Sequence, residues 1–161
     1  MQHKWPWKGL VAGALAGLAG SFAMSQFHAL LPKREAPSTE ESEDSTVKAA
    51  SALSQIILCR GLTPCEKQIA GPAVHYAFGA GLGAIYGMSV ELGQPACTGW
   101  GLPFGAALWL GAHVIAVPAL GLSKPVTQSA PSAEAAEFCG HLVYGTAAEG
   151  LRYLLRTRVL R

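Results

Sequence analysis

Charge divides the chain into long apolar stretches and short polar joints. No Asp, Glu, Lys or Arg lies between Gly9 and Pro32, a run of 24 residues. A second charge-free run of 23 residues covers Gln68 to Val90, and a third of 32 residues covers Leu92 to Ser123. A helix needs about 20 mostly apolar residues to cross a bilayer. The three runs predict spans at 9–31, 69–92 and 100–120. A weaker fourth span is predicted at 135–155, which carries Glu137, His141, Glu149 and Arg152. The joint from Gly93 to Gly99 is short enough to make the second and third spans antiparallel neighbours.

The polar joints differ in kind. Residues 32–46 are acidic and rich in Ser and Thr; such a linker buries no core and is expected to be disordered. Residues 47–59 place apolar side chains at 47, 50, 53, 56 and 57, which is helical spacing. An amphipathic helix lying on the membrane surface is expected there, or one packed over the mouth of the bundle. Pro72 and Pro103 are expected in first helical turns, where proline is tolerated, and Pro118 should kink or end its helix. Ser132 is the expected N-cap of the fourth span, with Glu134 in its first turn.

Composition agrees with this pattern. Of 161 residues, 50% are hydrophobic and 14% charged, against about 25% charged in an average soluble domain. This excludes a disordered chain, a disulfide scaffold and a coiled coil, and argues against an ordinary soluble enzyme. The basic residues flank apolar runs and form no patch, so no nucleic-acid partner is expected. The start of the chain also admits a signal-peptide reading, with Ser21-Phe22-Ala23 as the cleavage site. The apolar stretch continues to Leu31, too long for the usual 7–15-residue signal core.

With four spans both termini lie on one side. The basic residues divide six to six between the two sides. The terminal flanks are purely basic while the opposite loops mix their charges, so cytoplasmic termini are expected.

Two internal matches suggest a duplication. His75-Tyr-Ala-Phe78-Gly79 parallels His141-Leu-Val-Tyr144-Gly145, and Gly9-Leu-x-x-Gly13-Ala parallels Gly101-Leu-x-x-Gly105-Ala. The expected fold is therefore all-α: an integral membrane four-helix bundle of two similar hairpins, plus one interfacial amphipathic helix. His75, Gly79, Gly83, Gly87 and Glu91 recur at steps of four, as do Glu137, His141, Gly145 and Glu149. Residues four apart share a helix face, and ionisable groups in a membrane turn inward. Gly79, Gly83, Gly87 and Gly145 are expected to pack helices closely.

Counting along the helices at about 1.5 Å per residue puts His75, His113 and His141 at one depth, near the linker side, with His28 slightly shallower. Glu91 and Glu149 fall toward the termini side. The plain reading of these groups is structural: hydrogen bonds across a Gly-lined bundle, Glu149 pairing with Arg152 or Tyr153. A second is proton-linked, since histidine titrates near physiological pH. A third makes His75 and His141 axial ligands of one haem b, with Gly79 and Gly145 making room for the macrocycle. Three histidines around zinc are geometrically allowed, without support from local spacing. Cys59 and Cys65 could form a disulfide on an oxidising side; Cys97 and Cys139 would then be unpaired. There is no Gly-rich phosphate loop, Gly-x-Ser-x-Gly or His-Glu-x-x-His, and no enzymatic activity is expected.

The segment from His75 to Gly87, Phe104-Gly105-x-x-Leu108-Trp109, Ala116-Val117-Pro118-x-Leu120-Gly121-Leu122, and His141-Leu-Val-Tyr-Gly145 with Glu149 resemble the YagU-like family of bacterial inner-membrane proteins. The resemblance covers spans two to four well and the first loosely. It implies a four-helix inner-membrane protein with no established catalytic activity and no known ligand set. The family pattern implies an acidic residue near His113, where this chain carries histidine. The expected role is non-enzymatic: a small oligomer, or an accessory subunit beside another membrane protein, with the lipid bilayer as its medium. The alternatives are a proton-responsive or transport-type protein and haem binding.

Overall fold

The computed structural model describes residues 5–32, 44–93 and 99–160, and these form helices and turns without a strand. The acidic linker, apart from its ends, and Cys97 lie outside the described residues. Helix α1 is Pro6–Leu30, α2 is Ser45–Leu58 and α3 is Pro64–Glu91. Helix α4 runs Leu102–Ala119, and α5 is Pro131–Leu154, extended by a π-helical turn at Leu155–Val159. The 25 residues of α1 measure about 38 Å, enough to cross a hydrocarbon core of about 30 Å. Two helices, α1 and α4, are long and apolar enough to cross a membrane. Among the described residues, α3 does not reach that level, its charge-free run carrying several glycines and His75.

Helix starts follow local chemistry. Thr63 and Glu66 form a reciprocal capping box, and Pro64 takes the first helical position, so α3 begins at Pro64 instead of near Ile69. Pro72 consequently lies inside the helix, not in its first turn as expected. Ser132 is not the N-cap of α5: Ala130 holds that place without a side-chain bond and Pro131 follows it. Proline preorganises that first turn in place of a hydroxyl cap. In α4, Trp109–Ala116 is π-helical immediately before Pro118, and the helix ends at Ala119. A ring at 118 excludes ordinary α-helical bonding to the carbonyl four residues back, and the wider turn accommodates it.

Helix α1 packs antiparallel against both α3 and α5, while α4 packs against α5 and α2 lies on α3. The contacts are made by very small residues. A side-chain carbon added to Gly83 would come within 2.7 Å of the Gly17 backbone, and one added to Gly87 within 2.8 Å of Gly13. Gly79 lies against Ser21 and Tyr144, and Gly145 against Gly101 and Gly105. All four glycines expected to pack helices thus sit at close approaches. Among the described residues, the largest fully buried side chain is that of Ser21. The large apolar groups point outward instead: Phe22 is 56% exposed, and Leu15, Phe78, Ile85, Leu110 and Ile115 are exposed too.

The two close pairs, α1 with α3 and α4 with α5, repeat one another in a register that differs from the histidine match. Gly9 abuts Gly87 and Glu91, while Gly101 abuts Gly145 and Glu149. The corresponding motif is Tyr86-Gly87-x-x-x-Glu91 and Tyr144-Gly145-x-x-x-Glu149. It is displaced from the His75/His141 alignment by eight residues, about two helical turns. Backbone contact, not the histidines, defines the packing equivalence, and His141 takes the place that Gly83 holds in the other pair.

Candidate functional site

The four helices part toward the linker end and leave a cavity of about 450 Å3. His28 of α1, His75 of α3, His113 of α4 and His141 of α5 all line it, with Glu137 of α5 and Asp44 at the start of α2. His75, His113 and His141 were expected at one depth, and the structure brings them to this one space. The His113 and His141 ring centres lie 5.9 Å apart. A smaller cleft of about 70 Å3 is also lined by His75 and His141, with Gly79 and Tyr144.

Each ring is oriented by a protein partner. His141 Nδ1 lies 2.8 Å from the Glu137 carbonyl one turn back. His75 Nε2 lies 3.3 Å from the Ser21 carbonyl and 3.4 Å from Ser25 Oγ. The Ser25 hydroxyl itself donates to the Ser21 carbonyl at 2.9 Å. A carbonyl only accepts, so the N–H of His75 sits on Nε2 and that of His141 on Nδ1. His113 Nε2 is 3.0 Å from Glu134 Oε2, its ring stacked 6.4 Å from Trp109. His28 Nδ1 is 3.8 Å from Glu137 Oε1. Glu134 was expected to act on the helix dipole; its geometry makes it a partner of His113 as well.

Glu91 and Glu149 do not join this layer. They lie at the termini end, each facing an arginine of the last helix. Arg152 makes two 2.7 Å bonds to Glu149, and Tyr86 adds a third donor at 3.0 Å. Arg156 binds both oxygens of Glu91, one of them at 2.9 Å. Glu149 and Arg152 are both buried. An arginine fork matched to a carboxylate compensates both charges away from water. Of the two partners expected for Glu149, Arg152 is the one found. The histidines and these carboxylates thus form two separate sites. The space between them is occupied by Tyr144, whose hydroxyl donates to the Gly79 carbonyl at 2.6 Å.

The haem reading required open space beside Gly79 and Gly145. Ser21 and Tyr144 fill the first and the backbone of Gly101 and Gly105 fills the second, so neither glycine accommodates a macrocycle. Among the described residues, no three His, Cys, Asp or Glu side chains converge as a metal site. Cys59 and Cys65 are both free and exposed, so the disulfide considered for them is not formed.

Several partners carried no strong signal in the sequence. The Ser21 carbonyl, the Ser25 hydroxyl and the Gly79 carbonyl that accepts from Tyr144 are marked by no motif. The Tyr-Gly-x-x-x-Glu pair was visible, and would have separated the carboxylates from the histidines. On the linker side, Arg60 forms a fork with Glu66 at 2.9 and 2.6 Å. These bonds, with the backbone and hydroxyl of Thr63, hold the Glu66 carboxyl down at about 2.

A family model described as a protein of unknown function (DUF1440) matches residues 64–150, from the start of α3 into α5. No curated protein matches the chain. No solved structure matches it either.

Proposed function

The chain belongs to the DUF1440 family, and we propose that it is a non-enzymatic integral membrane protein, a bundle of four spans with α2 at one interface. The observation that carries this reading is the inverted packing. Helix contacts are built from Gly, Ala and Ser, while Leu, Ile and Phe side chains face outward. In water that arrangement would expose a large apolar surface. In lipid it is the favourable one, because small residues let backbones approach and the bilayer solvates the rest. Only 6% of the apolar window of α4 is buried within the protein, which separates it from the core helix of a soluble domain.

The ends support the same reading. Trp5, Trp7, Trp100 and Tyr153 are exposed at the termini end, as aromatic residues are at a membrane interface. Lys8 lies 5.5 Å from the Trp5 ring and 5.9 Å from that of Trp7. On α2, Leu53, Ile56, Ile57 and Leu58 are exposed, while Ala50 and Ser54 are buried. With the resemblance to YagU-like proteins, the location proposed is the bacterial inner membrane, termini cytoplasmic. The role is that of a small oligomer or an accessory subunit, since Gly81, Gly111 and Gly150, where an added side-chain carbon would meet nothing within 4 Å, leave outer faces open to another helix.

The test is extraction. The expressed full chain should stay in the membrane pellet through an alkaline carbonate wash and leave it only with detergent. Release by carbonate would end the reading. Reporter fusions after Arg161 and within residues 33–43 should fall on opposite sides.

A second reading is favoured by the convergence of four histidines on one cavity: a proton-responsive membrane protein. Histidine is the side chain whose ordinary titration lies in the physiological range. The carboxylate–arginine pairs at the far end then serve as structure.

A further inference from the structure

The cavity has a definite hydrogen-bonding character. The N–H of His75 is taken by the Ser21 carbonyl and Ser25 Oγ, and that of His141 by the Glu137 carbonyl. In each neutral ring the other nitrogen carries a lone pair and no hydrogen. His113 directs its Nε2 at the Glu134 carboxylate, which fixes the same division of roles when that ring is neutral. To these acceptors the cavity adds the carboxylates of Glu137 and Asp44. Among the described residues, no Lys or Arg lines it. Met24, Val47 and Val117 form apolar wall between the polar groups. The volume, about 450 Å3, falls within the range of about 300–1,000 Å3 common to small-molecule sites.

A space whose described lining is rich in acceptors and formal negative charge, with apolar walls, selects a ligand that donates hydrogen bonds and carries positive charge. We propose that this cavity binds a small organic ammonium compound, its ammonium group held by Glu137 and the imidazole lone pairs and its hydrocarbon part against Met24, Val47 and Val117. The site goes beyond the membrane reading and does not depend on it. It shares its histidines with the proton-responsive reading and predicts a direction for it. Protonation of an imidazole replaces its lone pair by a second N–H and adds positive charge. The facing groups are Asp44 from α2, Tyr76 from α3, and Glu134 and Glu137 from α5. Acidification should therefore expel the ammonium ligand.

The test uses the full chain purified in mild detergent and calorimetric titration with benzylammonium, benzyl alcohol, benzoate and zinc ion. At pH 8, benzylammonium should bind saturably at one site per chain, at least tenfold tighter than benzyl alcohol, and benzoate should not bind. Glu137→Gln and His141→Phe should each weaken benzylammonium at least tenfold, and so should a shift to pH 5. If Glu137→Gln does not fold, as judged by circular dichroism and gel filtration, His75→Phe takes its place with the same expectation. The proposal is overturned by benzoate binding as tightly as benzylammonium, by absence of saturable benzylammonium binding, or by variants that bind like wild type. Stoichiometric zinc binding that excludes benzylammonium would also overturn it, making the site a metal site. Carbonate extraction reports on the membrane reading separately, so either result can fail while the other stands.

Discussion

Tyr86 on α3 donates a 3.0 Å hydrogen bond to Glu149 on α5, and the bond ties the two close helix pairs together inside the protein. Glu149 is also held by Arg152 one turn on. The Tyr86 ring stacks on Phe104 of α4, with centres 4.1 Å apart. Two helices therefore meet at one carboxylate, and the Tyr86 ring carries the contact on to a third. A hydrogen bond to a charged group is worth about 1.5–3 kcal/mol. Tyr86→Phe should destabilise the protein by about that much while leaving the ring stack intact. Arg152→Met should cost more, about 3–5 kcal/mol, because it strands a buried carboxylate. Thermal unfolding in detergent, with the double variant, measures both and their coupling.

Glycine substitutions should divide sharply by position. A methyl group at Gly83 meets the backbone of Gly13 and Gly17, whereas at Gly81 it meets nothing within 4 Å. Gly83→Ala should destabilise by about 1–3 kcal/mol through overpacking. Gly81→Ala should stabilise α3 by about 0.5–1 kcal/mol, the usual helical preference for alanine. Equal effects in a melting comparison would contradict the close approach of α1 and α3.

The turn between α2 and α3 should respond to acid. The carboxyl of Glu66 is held at about 2, first by the Arg60 hydrogen bonds and then by Thr63. A lowered carboxyl stabilises the fold fully above the ordinary value near 4.5, and the contribution is lost as pH falls toward 2. A carbon-13 titration of the Glu66 carboxyl should have its midpoint near 2. In Arg60→Gln the midpoint should rise toward the ordinary range; a midpoint already near 4.5 in the wild type would refute the pairing.

The proton-responsive reading makes its own demand. Ligand release, or any other pH-dependent behaviour between pH 5 and 8, should disappear in the His75→Ala, His141→Ala double variant. A double variant that folds and follows the wild-type profile removes that reading.

A visible absorption spectrum of the detergent-purified protein, with metal analysis on the same sample, should be featureless in the Soret region. A Soret band lost on His75→Ala or His141→Ala would mean that Gly79 and Gly145 open in a way their present contacts do not allow.

Helix number and the inward faces were legible because charge-free runs and steps of four are set by the chain itself. The common depth of His75, His113 and His141 followed from rise per residue, and it led to one cavity. Helix α3 starts at Pro64, before the Ile69 that charge-free length predicts, because Thr63-Pro-Cys-Glu66 spells a capping box. The register of the repeat was missed for a different reason. Two sequence matches competed, and only backbone proximity decides between them. The pairing of Glu91 with Arg156, 65 residues away, depended on tertiary packing that no local pattern encodes.

The scarcity of side chains at the helix contacts has a consequence for how such a protein can drift over time. In most folds the large core residues are the ones that selection holds fixed. In the proposed bilayer setting the largest apolar side chains would meet a fluid surround that accepts any greasy shape, and would be free to interchange. The positions under tightest constraint are those with the least chemistry to offer, such as Gly13, Gly17, Gly83 and Gly87. A lineage of this fold would preserve its blanks and vary its letters.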